Sequence, residues 1–280
     1  MALVCLVTII RGGQNFGSNL FNNEPVTYSS IESKWKYTNT KYWPTEGHID
    51  FLAYAPRVEG TTLKNTTCID FTVSPTIADQ KDLLWANAVD QTKEKNSSPN
   101  KVKFQFAHAL SKLGYTVKLN DTYSGATITL KKITLAGSAD GTKNAFYTEG
   151  TIDLSHTSST TASLWKTSSS DKKQKFTWFS GDQNLTEKVA NNTEYLFVIP
   201  QDFSQKTSGA DELYVIVEYT ISYSGVTETI TNKVSSKLGK NFEQGKAYMI
   251  NLIIGLTPIE FEADVTAWKD GDKIDDITWN

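Results

Sequence analysis

Three histidines, His48, His108 and His156, are the first residues to weigh for chemistry, and none has a second histidine at the i+4 position. A zinc protease needs two histidines one helical turn apart with a glutamate between them, so that reaction is not written here. His108 ends an alternating run, where a hydrogen-bonded histidine at a strand end is the plainer reading. A serine nucleophile on a strand-to-helix elbow needs a glycine two residues to either side. In Gly137-Ser138-Ala139-Asp140-Gly141 the serine follows the glycine directly, and the stretch reads as a turn. Gly239 to Lys246 resembles a phosphate loop only loosely. Its glycine spacing is one residue too long, and Ala247 stands where a magnesium-binding hydroxyl belongs. Asp270, Asp272, Asp275 and Asp276 form the densest acidic cluster, without the spacing of a calcium-binding helix-loop-helix, and read as a solvated turn. Paired carboxylates for glycoside hydrolysis are defined by a separation in space of about 5–9 Å, which spacing along the chain does not give. These patterns assign no catalytic, metal-binding or cofactor-binding residue. Four tryptophans, Trp35, Trp43, Trp165 and Trp178, could stack on sugar rings; packing in a core or an interface is the commoner fate of such rings.

Composition narrows the classes. Formal net charge is −3, and Arg11 and Arg57 are the only arginines, so there is no basic footprint for nucleic acid and no polybasic face for a membrane surface. Few arginines also means few bidentate clamps for phosphate or carboxylate. With 39% hydrophobic and 11% aromatic residues the chain can build cores, and its 280 residues favour two domains. Cys5 and Cys68 are far apart, with no C-x-x-C pair. Two unpaired thiols is the plainer reading, and a single disulfide stays open.

The elements that must position any site are strands. Threonine, valine, isoleucine and aromatic residues suit a half-buried pleated surface, and frequent Asn, Asp and Gly punctuate it. Ile49, Phe51 and Ala53 alternate with His48, Asp50 and Leu52, a period of two, and Pro56 ends the run. The apolar opening Ala2–Ile10 is too short to span a membrane and lacks a basic leader. It reads as a buried strand, and no small-residue box marks Cys5 as a lipidated terminus. Arg11-Gly12-Gly13 follows as a flexible joint. Further strands are expected at 68–73, 101–108, 115–119, 126–135 and 146–154, with 101–108 and 115–119 joined by a compact turn. Asp79–Ala86 is the best candidate for a short helical turn, with acidic residues near its start. The later strands fall at 176–179, 194–200, 213–223, 226–234, 247–254 and 259–268, with a tight hairpin at Tyr223-Ser224-Gly225-Val226. The Ser/Thr-rich patch Ser155–Thr161 marks the expected division, into a sandwich over 1–155 and another over 156–280.

Taken in order, several segments resemble the fimbrillin-like family of surface proteins from Bacteroides-type bacteria. They are Tyr42-Trp43-Pro44 leading to Ile49–Pro56, Asp82–Ala86, Val102–Leu113, Tyr195–Gln201 with its Ile199-Pro200-Gln201 end, Gly245–Tyr248 and Val265–Trp268. The resemblance implies two tandem transthyretin-like, Greek-key-type β-sandwiches and export as a lipoprotein to the outer membrane. It implies a non-enzymatic role as a pilus subunit or tip adhesin at the cell surface. It also implies that an arginine-specific protease removes the first strand, and that a neighbouring subunit's strand fills the groove. Arg11 and Gly12 stand where that cut would fall, and Leu3, Val4, Leu6, Val7, Ile9 and Ile10 would form the exchangeable strand. Partners are then other pilin subunits, bound by β-strand addition, with host or bacterial surface proteins or glycans as adhesion ligands, no nucleic acid and no cofactor. The alternative is a surface glycan-binding lipoprotein using the tryptophans.

Overall fold

The chain is all-β in this computed structural model, which describes residues 2–11, 14–15, 20–57, 62–63, 67–95, 101–155, 164–167, 172–186, 189–205, 207, 209–255, 259–267 and 273–279. The strands are numbered along the chain. The first are β1 (Ala2–Arg11), β2 (Gln14–Asn15), β3 (Phe21–Ser29), β4 (Lys34–Lys36), β5 (His48–Ala55) and β6 (Thr62–Leu63). Then come β7 (Cys68–Thr72), β8 (Leu84–Gln91), β9 (Ala107–His108), β10 (Ser111–Leu119), β11 (Ala126–Ala136) and β12 (Phe146–Tyr147). They continue with β13 (Glu149–Asp153), β14 (Trp165–Thr167), β15 (Lys173–Gln174), β16 (Phe176–Asn184), β17 (Ala190–Asn191) and β18 (Leu196–Val198). The last are β19 (Gln201–Asp202), β20 (Tyr214–Tyr223), β21 (Ile230–Lys237), β22 (Asn241–Phe242), β23 (Lys246–Ile254), β24 (Ile259–Ala267) and β25 (Lys273–Trp279).

Two compact units share these strands. One comprises Met1–Thr72, Lys81–Ala109 and Glu149–Ser168; the other comprises Val73–Gln80, Leu110–Thr148 and Ser169–Asn280. The units are interleaved along the chain, whereas the Ser/Thr-rich patch suggests a single division at 155. Strand pairing is the reason: β13 lies against β7, with Ile152 opposite Ile69, and β14 lies against β13, so the segment 149–168 returns to the first unit.

In the first unit one sheet runs β4-β3-β1-β5-β8-β9, with β2 attached to β1, and a second runs β14-β13-β7-β6. The expected alternation of β5 holds on one face, where Ile49, Phe51, Ala53 and Ala55 form a core with Phe21 and Val26. Leu52 and Tyr54, on the other face, are also buried, so β5 is covered on both sides. The helical turn expected over 79–86 is not there. Ile77–Asp79 makes a short 3-10 turn, and Leu84 begins β8, which pairs with β5 through Trp85 opposite Tyr54. Tertiary pairing has overridden a local pattern. The alternating run 101–108 is also only partly a strand. Residues 101–106 lie outside any ladder, yet Val102, Phe104 and Phe106 pack on the core, and only Ala107–His108 joins β8. The expected hairpin with 115–119 therefore does not form. The second strand begins earlier, at Ser111, and pairs elsewhere.

In the second unit β17-β10-β23-β24-β25, with β18 on β10, forms one sheet and β16-β11-β20-β21 another. β10 and β23 run parallel, Leu113 opposite Tyr248 and Val117 opposite Leu252. β11, β20 and β23 alternate buried and less buried positions, and their inward residues meet in a single large core. Phe146, Phe203 and Phe242 form a ring cluster there, with centroids 5.4–6.4 Å apart. A turn forms at Tyr223–Val226, with Gly225 at φ +80° and Val226 N–H donating to the Tyr223 carbonyl. The next strand starts at Ile230 rather than 226 and pairs Ile230 with Ile221, so the connection is longer than the tight hairpin expected.

Candidate functional site

The residues considered for chemistry fall into structural settings. His108 Nδ1 lies 2.6 Å from Asp82 Oδ2, beside the Ala109 N–H to Leu83 carbonyl bond that fastens β9 to β8. His48 Nδ1 is 3.4 Å from Asp90 Oδ1, and His156 lies outside the described residues. Asp90 sits in a bulge of β8 with φ 54°, its N–H bonded to Asp50 Oδ1 at 2.6 Å. The hydrogen-bonded Lys95 ammonium holds its carboxyl below the usual range. Gly137–Gly141 is a turn: Ser138 Oγ and the Thr142 N–H both bond Asp140 Oδ1, which lowers that carboxyl to about 2. The segment 239–246 carries β22 and turns at Gly245, φ +70°, whose N–H bonds the Leu110 carbonyl. The aspartates at 270 and 272 lie outside the described residues.

The four tryptophans are not gathered. Trp165 and Trp178 are both buried, at 7% exposure, which removes them from any sugar-stacking surface. Trp165 Nε1 donates to the Ala109 carbonyl at 2.7 Å, and Trp178 meets Tyr115 edge-on at 4.9 Å. Trp43 packs on Phe51 and borders a small cleft with Glu46, Lys93 and Glu94. Trp35 is exposed, paired edge-on with the exposed Tyr28 near the tip of the β3–β4 hairpin.

The candidate exchangeable residues lie on β1. It lies between two neighbours, antiparallel to both. Val4 to Ile10 pair with Tyr54 to His48 on β5, and Ala2 to Cys5 pair with Thr27 to Glu24 on β3. Its last residue, Arg11, pairs with Gln14 of β2, and Gly12 lies outside the described residues. On the β3 side the register slips between Cys5 and Val7. Leu6 alone faces Asn22 and Asn23, a bulge with Asn23 at φ 53°. Across this strand the Tyr54 hydroxyl donates to Asn23 Oδ1 at 2.7 Å. Tyr54 is fully buried, and burial pushes its hydroxyl up to about 12. Nothing in the sequence signals that bond, because its partners are 31 residues apart on strands that are not paired with each other.

The Ile199-Pro200-Gln201 segment proves to be a junction. Gln201 is buried; its Nε2 donates to the Ala145 carbonyl and to Asp211 Oδ2, and its Oε1 accepts the Tyr147 N–H. Lys173 completes the network, bonded to Asp211 and lying 4.3 Å from the Tyr147 ring centre. Gln201→Leu keeps the volume but strands these backbone groups. It should lower the stability of the second unit by about 1–3 kcal/mol, read from denaturant unfolding.

Comparison with known proteins gives a family match. A family model described as fimbrillin-like matches residues 6–268. A crystal structure from Bacteroides uniformis, described as a candidate cell adhesion protein, is 18% identical with a TM-score of 0.53, and the match covers 96% of this chain and 91% of that one. The fimbrial anchor protein Mfa2 from Porphyromonas gingivalis is 9% identical, TM-score 0.41, covering 98% and 90%. A fimbrial assembly protein from Parabacteroides distasonis is 12% identical, TM-score 0.42, covering 98% and 90%. No curated protein matches the chain.

Proposed function

The chain belongs to the fimbrillin-like family, and from that premise we propose that it is a non-enzymatic pilus subunit or tip adhesin joined to its neighbours by strand exchange. On this reading the two units are transthyretin-like sandwiches, the protein is exported as a lipoprotein to the outer membrane, and its partners are other pilin subunits. The observation that carries it is the seat of β1, paired along both edges between β3 and β5 and ending in an arginine. A cut after Arg11 severs the chain without breaking either long ladder. Loss of β1 then leaves two rows of unpaired N–H and C=O groups, one on β3 and one on β5, facing each other across a gap one strand wide. Unpaired backbone is costly when buried, and an extended segment from a neighbour satisfies both rows at once.

Digestion of the folded protein with an arginine-specific protease tests this. Cleavage at Arg11 should be selective over Arg57 and should convert monomers into larger species on size-exclusion chromatography. A folded chain that resists cleavage at Arg11, or one that is cut and stays monomeric, rules the mechanism out.

A further inference from the structure

β3 and β5 both neighbour β1, yet they are also joined directly. Adjacent strands lie about 4.8 Å apart, so the Tyr54–Asn23 hydrogen bond links two strands separated by roughly 10 Å. Both partners are shaped for that reach. Tyr54 has one of the longer rigid side chains, fully buried and held as a neutral donor. Asn23 occupies the bulge, where the left-handed backbone re-aims its amide; asparagine accepts that conformation more readily than most residues.

We infer that Tyr54 and Asn23 form a tie across the β1 channel, holding β3 and β5 at two-strand separation while the strand between them is replaced. The inference rests on the strand-exchange reading above. Two strands that lose a shared neighbour expose complementary edges, and nothing in backbone chemistry prevents them from closing onto each other. Closing here requires Tyr54 to leave its buried seat and break its bond to Asn23. The tie therefore keeps the channel receptive to an incoming extended segment, such as the matching strand of a second copy. Tyr54 and Asn23 are positioning residues: they set the rate of capture rather than the chemistry of the cut.

The experiment uses the full chain, cleaved at Arg11, and a fluorescent synthetic peptide of residues 2–11 as probe. Wild-type protein should capture the peptide. Tyr54→Phe, which keeps the ring and removes the hydroxyl, should capture it roughly three- to tenfold more slowly, the rate equivalent of one neutral hydrogen bond. Asn23→Gly keeps the backbone conformation, removes the acceptor and should slow capture similarly. The double variant should be no slower than the slower single one, because both remove the same bond. Wild-type capture with both variants at the wild-type rate overturns the tie alone. A cleaved wild-type chain that never binds the peptide overturns the strand-exchange reading and the tie with it.

Discussion

Phe146→Ala should destabilise the second unit by about 3–5 kcal/mol, the range for removing a fully buried aromatic side chain. Phe146 has no exposed surface, and its ring touches Phe176, Phe203 and Phe242 at centroid distances of 5.4–6.4 Å. These neighbours come from β16, from the segment after β19 and from β22, so the cavity would be walled by three parts of the chain. Such walls collapse poorly, which places the expected cost toward the upper part of the range. Trp178 fluorescence reports on the same unit, and a denaturant titration of the variant should show its transition moved to much lower concentration. A shift equivalent to under about 1 kcal/mol would mean that the rings do not depend on one another as their packing implies.

Trp165→Ala should cost the first unit a similar amount, about 3–5 kcal/mol. The side chain is buried against Phe71 at 6.1 Å, and its indole N–H satisfies the Ala109 carbonyl. Trp165→Phe separates the two contributions: it keeps most of the packing and strands the carbonyl, an expected loss of about 1–3 kcal/mol. Were Trp165 a ligand platform instead, both variants would unfold like wild type. Differential scanning calorimetry decides between these outcomes.

Much of the architecture was legible from alternation. Ile49, Phe51 and Ala53 point into a core as their spacing requires, and β11, β20 and β23 fall on the alternating runs that suggest them. The failures share a cause. Leu83-Leu84-Trp85-Ala86 after acidic residues fits a helix locally, but β5 offers Leu84 to Gln91 a ladder, and pairing wins. Phe104 and Phe106 alternate like strand residues and pack, partly buried, on the core, yet the backbone between them joins no ladder. Local sequence reports which side chains seek a core, not which backbone edge is free to receive them. The same limit hid the candidate site. Arg11 and the apolar run before it could be singled out, whereas the seat of β1 depends on β3 and β5 flanking it. The Ile199-Pro200-Gln201 segment was visible as a resemblance, but the role of Gln201 lies in partners at 145, 147 and 211. Trp165 and Trp178 were candidates for a surface because composition says nothing about burial.

The double-edged pairing of β1 also has a mechanical meaning. A strand pulled along its own axis from such a seat loads the hydrogen bonds of both ladders in shear, all together, whereas a strand peeled from one edge breaks them one at a time. Any strand occupying this channel would therefore resist a steady axial tug better than one paired along a single edge. A chain of subunits linked this way would carry tension through the backbone ladders of β3 and β5.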